Sequence, residues 1–167
     1  SRVSLNVAAR FSPTMAASRH LVLGAGLVSR PLIEYLSRDA ARAVVVASAS
    51  PDELAAVRKA FAARPNVEAA RLDVAGDAPG LAALVGSARV VTSLLPAAMH
   101  GAVADAALRS PAPPDVVTAS YVGEMADRDA EARSRGGRIV CEAGLDPGMD
   151  HMAAVKLVHE AAGRVWR

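Results

Sequence analysis

Cysteine is almost absent from this chain of 167 residues, since Cys141 is the only one. An intrachain disulfide is therefore impossible, which fits a reducing compartment. Aromatic side chains make up 3% of the residues, so a buried core must consist mainly of alanine, valine and leucine. Cores of that kind are typical of central parallel strands flanked by alanine-rich helices.

Long apolar runs and clustered charge are also missing. No apolar run approaches the ~20 residues that a membrane-spanning helix needs. Basic and acidic residues number 19 and 17, and the arginines are scattered without interleaved aromatics. These absences argue against a membrane protein and against a nucleic-acid-binding surface. Nothing in the sequence predicts a metal site.

Residues 1–19 have a composition of their own, with three arginines, several serines and alanines and no acidic residue. An organellar transit peptide has this character, and so does a linker between two domains. We favour the linker and keep the leader as the alternative.

Six short apolar segments alternate with helical stretches in the rest of the chain. We predict strands at 20–23, 43–47, 67–74, 89–95, 115–119 and 138–142, and helices at 27–38, 51–63, 77–85, 97–110, 124–135 and 151–162. This alternation, with nearly continuous apolar strands, predicts an α/β fold with a doubly wound parallel sheet of the Rossmann type. Its crossovers should be right-handed.

A glycine turn follows the first predicted strand, with Gly24 and Gly26 ahead of a helix. The first glycine permits a tight turn, and the second lets the backbone approach a pyrophosphate, which the positive end of the helix then holds. Ser29 stands where the usual fingerprint has a third glycine. This position within a βαβ unit predicts a dinucleotide site, and the alternative is a plain turn in a flavodoxin-like fold.

The ends of three other strands carry further candidates. The second strand ends in Ala47-Ser-Ala-Ser50, which lacks both the acidic residue that binds the ribose of NAD and an arginine for the 2′-phosphate of NADP. The residues alone therefore leave NAD or NADP open. In a fold of this type, the carboxyl ends of the strands line the crevice that binds the cofactor. Ser93–Pro96 and Ser120-Tyr121 should lie there. The alternative is that Pro96 only ends a strand and Tyr121 is only a half-buried packing residue.

Together these segments resemble the saccharopine dehydrogenase family over about residues 20–167. The matching stretches are Leu21–Gly26 with Arg30-Pro31, Leu72–Val74, Ser93–Pro96 with His100, Val117–Tyr121 and Cys141–His151. The most specific is Gly144-Leu-Asp-Pro-Gly-Met-Asp-His151, which resembles a signature of the glutamate-forming members. Ala47-Ser48 and Cys141-Glu142 resemble the dehydrogenase half of plant-type bifunctional enzymes, in which a lysine-ketoglutarate reductase half comes first.

The resemblance implies oxidation of saccharopine to glutamate and aminoadipate semialdehyde, with NAD as cofactor and NADP not excluded. It implies Asp146 and Tyr121 as catalytic residues, and Ser120, Tyr121 and Asp146 as substrate contacts. The implied cofactor contacts are Gly24, Gly26, Leu27, Val28, Ser48, Asp73, Val74, Ser93, Leu94, Leu95, Pro96, Thr118, Leu145, Asp146 and Pro147. From the residues alone, an aspartate before Pro147 also serves to stabilise a turn.

We therefore expect a linker or leader at 1–19, an NAD(P)-binding Rossmann domain at 20–146, and a helix at 147–167 that leads into a substrate domain. By the resemblance, groups that bind the substrate carboxylates lie in that domain, so we expect this chain alone to be inactive. Fusion to a lysine-ketoglutarate reductase domain, a homo-oligomer and a cytoplasmic location are further predictions, with mitochondrion and plastid left open. A carboxynorspermidine-type dehydrogenase and a non-catalytic NAD(H)-binding regulatory domain are the alternative functions.

Overall fold

A computed structural model describes residues 18–165 of the chain. Apart from Ser18 and Arg19, the predicted linker or leader lies outside these residues. The strands are β1 (His20–Leu23), β2 (Val44–Ser48), β3 (Val67–Arg71), β4 (Val90–Ser93), β5 (Asp115–Thr118) and β6 (Ile139–Val140). The α-helices are α1 (Ser29–Leu36), α2 (Pro51–Ala60), α3 (Ala78–Gly86), α4 (His100–Arg109), α5 (Asp129–Arg135) and α6 (Met149–Val165).

The six strands form one parallel sheet in the order β3-β2-β1-β4-β5-β6. β1 lies in the middle of the sheet, from which the chain builds outward to β3 and then returns to the other side of β1 through β4. This order is that of the Rossmann fold and confirms the predicted fold class. The place where the direction reverses lies between β1 and β4, where the carboxyl ends of the strands leave a crevice.

Two apolar clusters cover the two faces of the sheet. On one face, Ile33 of α1, Val57 of α2 and Phe61, just after α2, pack against the valines of β1 and β2. On the other, α3 and α4 pack leucines, valines and alanines against the opposite side chains of the same strands. All five residues of β2 are buried, as expected for a central strand that has helices on both faces.

Several predicted elements are longer than those observed, and local hydrogen bonds explain the difference. The predicted third strand reached residue 74, but β3 ends at Arg71 because the carboxylate of Asp73 accepts the N–H of Ala75 at 3.0 Å and bends the chain. The predicted sixth strand reached residue 142, where Glu142 has a φ of +59° that no strand residue adopts. Within residues 18–165, no helix is long and apolar enough to cross a bilayer.

Candidate functional site

Gly24 makes the turn at the carboxyl end of β1. Its φ of +98° lies in the region that favours glycine, and its N–H donates to the carbonyl of Ala47 at 2.9 Å. A Cβ at this position would lie 3.2 Å from the backbone oxygen of Leu94, whose own N–H donates to Leu23. A side chain at this position would therefore push β4 away from β1, the two strands between which the strand order reverses.

The next residues leave an open cradle before α1. A Cβ on Gly26 would meet only Glu53 Oε1 within 4 Å, at 3.7 Å, and the side chains of Leu27 and Val28 are exposed. Within the described chain, the backbone N–H groups of residues 25–28 donate to no protein acceptor. Free donors at the positive end of a helix are suited to hold a pyrophosphate, so the residues present fit a dinucleotide.

Ser29, at the third fingerprint position, is buried at the start of α1. Its hydroxyl donates to the carbonyl of Gly26 at 2.7 Å, and its backbone N–H donates to the same oxygen at 3.1 Å. A serine thus fits where the fingerprint usually has glycine, because its hydroxyl has an acceptor within the turn itself.

Strand β2 has no acidic residue at its carboxyl end, but a carboxylate from α2, that of Glu53, lies there. Ser48 ends the strand, and its hydroxyl donates to Glu53 Oε2 at 2.6 Å, while it accepts the N–H of Ser50 at 3.1 Å. Ser50 caps α2 by accepting the N–H of Glu53 at 3.3 Å, which is one half of a capping box. The Glu53 side chain therefore turns back to the end of β2 and lies beside Gly26.

The remaining predicted cofactor contacts lie at the same edge of the sheet. Asp73 and Val74 follow β3 beside Ser48, whose carbonyl accepts the N–H of Leu72 at 3.0 Å. Leu94, Leu95 and Pro96 follow Ser93 at the end of β4, next to Gly24. Thr118 is buried at the end of β5, and Leu145 and Pro147 lie in the loop before α6.

Tyr121 and Asp146 are 25 residues apart in the sequence and form a hydrogen bond. The phenol of Tyr121 donates to Asp146 Oδ1 at 2.9 Å. This hydrogen bond is the main reason that the pKa of the phenol lies above its ordinary value of 10.0, and the negative charge of Asp146 is the second. Tyr121 is 61% exposed, so the pair lies open to a ligand.

Two glycines allow close packing of the loop from residue 144 to 148, Gly144 against Ala119 just after β5 and Gly148 within the loop itself. A Cβ on Gly144 would lie 3.2 Å from the Cβ of Ala119, and one on Gly148 would overlap the carbonyl oxygen of Glu142. Gly148 also has a φ of +140°. The loop that these two glycines allow carries Asp146, whose carboxylate meets Tyr121.

Two residues of this region were not among the predicted contacts. One is Glu53, in the first turn of α2. His100, noted only as part of a matching stretch, is 3% exposed and lies between the hydroxyls of Ser93 and Ser120, at 2.9 and 2.8 Å. Its position seven residues after Ser93, at the start of a helix, was the available signal. Among residues 18–165, no group of three or more histidines, cysteines and carboxylates could hold a metal ion.

The fold and the glycine turn together define a dinucleotide-binding Rossmann domain. Residues 20–141 match the family model described as the saccharopine dehydrogenase NADP binding domain. The chain belongs to this family, which confirms the resemblance inferred from its motifs. The description names NADP, whereas our prediction favoured NAD.

Relatives from animals and fungi agree with this assignment. The mitochondrial alpha-aminoadipic semialdehyde synthase of Bos taurus is 34% identical over 142 residues, which cover 84% of this chain and 15% of that protein. The saccharopine dehydrogenase (NADP(+), L-glutamate-forming) of Pyricularia oryzae is 37% identical over 155 residues, 90% of this chain and 33% of that protein.

A solved structure gives the same result. Apo histidine-tagged saccharopine dehydrogenase (L-Glu forming) from Saccharomyces cerevisiae superposes with a TM-score of 0.74 at 33% identity, over 86% of this chain and 31% of that one. The chain thus spans a third or less of the length of these relatives.

Proposed function

We propose that this chain provides the cofactor-binding part of an enzyme that oxidises saccharopine to glutamate and aminoadipate semialdehyde. The observation that carries the proposal is the Tyr121–Asp146 pair, a proton donor and a carboxylate 2.9 Å apart. The pair lies at the same edge of the sheet as the glycine turn, where a bound dinucleotide would present its reactive end. The names of the fungal relatives support the choice of substrate.

The reaction determines what these residues must do. Saccharopine loses a hydride from a carbon attached to its secondary amine, which leaves a positively charged C=N group. One water adds to that carbon, the C–N bond breaks, and the nitrogen leaves with glutamate, so that one proton is released per turnover. The dinucleotide, when bound, accepts the hydride.

Asp146 and Tyr121 fit the proton transfers of the hydrolytic half. Asp146 uses Oδ1 to accept from Tyr121, and within the described residues its Oδ2 has no hydrogen-bond partner. Asp146 Oδ2 takes the proton from the attacking water. The phenol, whose pKa is raised still further above neutral pH, stays protonated. Tyr121 thereby fixes the direction of the carboxylate. Ser120, the neighbouring residue, offers a hydroxyl to the substrate.

The cofactor that fits best at the end of β2 is NAD. The carboxylate of Glu53 is fixed there by Ser48 and lies beside Gly26. A carboxylate at this place accepts hydrogen bonds from ribose hydroxyls and repels a 2′-phosphate. Two observations favour NADP instead: the family description, and the exposed Arg71, which is the register partner of Ser48 in β3.

Calorimetric titration of the chain with NAD+ and with NADP+ tests the site and the choice of cofactor. We expect tighter binding of NAD+, and we expect Glu53→Gln to raise the affinity for NADP+ about tenfold by removing a like charge (~1.4 kcal/mol). Asp52→Asn is the matched control, because it removes the neighbouring carboxylate, which has no bond to Ser48, and should leave the ratio unchanged.

Two results would contradict the cofactor proposal. If the wild-type chain prefers NADP+ and loses that preference in Arg71→Ala, then Arg71 binds the 2′-phosphate and NADP is the cofactor. If Gly26→Val, which puts a side chain into the cradle, binds both cofactors as before, then the turn is not the site.

The substrate is tested with the protein purified from the cells that make it, by the rise in absorbance of the reduced cofactor. We expect saccharopine to support reduction and carboxynorspermidine to support none. The 167-residue chain alone should bind the dinucleotide without turnover. If only carboxynorspermidine is turned over, the protein is the related carboxynorspermidine-type dehydrogenase. If the purified protein binds the dinucleotide but turns over neither substrate, it is the non-catalytic regulatory domain.

Fusion and compartment remain proposals about the protein as the cell makes it. The match to 15% of the bovine semialdehyde synthase supports fusion to a lysine-ketoglutarate reductase domain. The name of that relative gives a mitochondrial location, whereas our prediction is cytoplasmic. Immunoblots of fractionated cells report the size and the compartment of the protein together.

A further inference from the structure

His100 connects the ends of two neighbouring strands. It is the first residue of α4 and is 3% exposed. Its Nδ1 lies 2.9 Å from the hydroxyl of Ser93, the last residue of β4, and its Nε2 lies 2.8 Å from the hydroxyl of Ser120, just beyond β5. One rigid ring thus spans the carboxyl edge of the sheet between a predicted cofactor contact and a predicted substrate contact.

At neutral pH we expect the ring of His100 to be neutral. Burial lowers its pKa below the ordinary 6.5, and no charged residue among those described contributes to the shift. The positive end of α4 also disfavours a second proton on a residue of its first turn. A neutral imidazole has one N–H that donates and one bare nitrogen that accepts, so each of its two hydrogen bonds has a direction.

The two tautomers give Ser120 opposite roles. With the proton on Nδ1, the ring donates to Ser93 and accepts from the hydroxyl of Ser120, whose oxygen lone pairs are left for a ligand. With the proton on Nε2, the ring donates to Ser120, whose hydroxyl proton is left to donate to a ligand. Ser93 serves in both cases because a hydroxyl both donates and accepts.

We propose that His100 is a positioning residue, whose ring between Ser93 and Ser120 directs the Ser120 hydroxyl and sets whether it donates to or accepts from the bound ligand. Ser93 is fully buried, so the chain of hydrogen bonds ends inside the protein. It therefore orients a hydroxyl and carries no proton to solvent. The inference rests on the proposed function, in which Ser120 contacts the ligand.

The nitrogen resonances of His100 test the connection without any activity measurement. In the chain labelled with ¹⁵N-histidine, we expect one N–H and one bare nitrogen resonance for His100 at pH 7. Ser120→Ala should shift the Nε2 resonance more than the Nδ1 resonance, and Ser93→Ala should do the reverse. A protonated ring, or resonances that respond to neither variant, would overturn the proposal.

Two amide variants separate positioning from packing. A glutamine at position 100 places its amide near the position of Nε2 and can keep the bond to Ser120, whereas an asparagine reaches only the position of Nδ1 and keeps the bond to Ser93. Since the loss of one hydrogen bond costs roughly fivefold to tenfold in affinity, we expect His100→Asn in the full-length protein to weaken saccharopine binding by that factor, seen as a rise in KM. NAD+ binding should stay as in the wild type, because the bond to Ser93 is kept. His100→Gln should stay close to wild type.

The outcomes of this comparison are distinct. If both variants weaken saccharopine binding equally and unfold at the same midpoint, the ring of His100 only fills space and the inference is wrong. If the wild-type chain binds neither NAD+ nor NADP+, the proposed function fails, while the resonances of His100 still decide whether the ring fixes Ser120.

Discussion

At the scale of single residues, the titration of Tyr121 reports directly on the candidate site. Ionising its phenol breaks the hydrogen bond to Asp146 and places two negative charges side by side, which is why its pKa is raised. In Asp146→Asn we expect this pKa to fall toward 10.0, so that the phenolate forms at lower pH than in the wild type. Phenolate absorbance in a Tyr35→Phe background, which leaves Tyr121 as the only tyrosine, measures it.

A nearby carboxylate provides the matched control for that titration. Asp150 also raises the pKa of Tyr121 through its charge, but it makes no hydrogen bond to the phenol. Asp150→Asn should therefore lower the pKa by less than Asp146→Asn does. Equal shifts in the two variants would mean that general charge, and not the direct bond, governs the phenol.

Gly24 is the residue that the turn can least replace. We expect Gly24→Ala to lower the free energy of unfolding by about 2 kcal/mol or more, since an alanine in the left-handed region alone costs about 1–2 kcal/mol and its Cβ would also crowd Leu94. Gly136→Ala is the control, because Gly136 has a φ of +70° with nothing within 4 Å of the added Cβ. Urea unfolding compares the two, and equal losses would show that the contact with Leu94 is unimportant.

The sequence predicted residues whose role depends on their immediate neighbours in the chain. It missed residues whose role depends on contacts with distant parts of the chain. Gly24 was accessible from the sequence because a turn imposes its own backbone geometry wherever it occurs, whereas Gly148 entered only through the resemblance. Glu53 and His100 act through contacts that exist only once the strands are in register. The bond from His100 to Ser120 joins residues 20 positions apart, and no spacing rule predicts which hydroxyl a buried ring will meet.

At the scale of elements, the sequence predicted every strand and every α-helix of the described residues, but not where each one begins and ends. The start of α2 was predictable because Ser50, Pro51 and Glu53 satisfy a local capping pattern. The helix after β5 was predicted from residue 124, yet Gly123–Arg128 forms a 3₁₀ turn and α5 begins only at Asp129. Helical composition does not distinguish i+3 from i+4 hydrogen bonding, so that boundary needed the structure.

At the scale of the whole molecule, the order of the elements was sufficient to predict the architecture. Alternating strands and helices with right-handed crossovers leave few ways to cover both faces of a parallel sheet. The reversal between β1 and β4 then brings the ends of β1, β2, β4 and β5 to one crevice. This explains how segments spread from residue 24 to residue 147 form one candidate site, although none of them is informative about the others.

The last helix is the part of the described chain that the fold depends on least. From His151 to Gly163 every side chain of α6 is exposed, and its ion pair of Lys156 with Glu160 lies within the helix. We therefore expect a chain cut after Ala153 to unfold at the same urea concentration as the full chain and to bind NAD+ equally well. A chain cut after Ala143, which also lacks Asp146, should bind NAD+ more weakly. A lower unfolding midpoint for the first cut would mean that α6 packs against the sheet domain in solution.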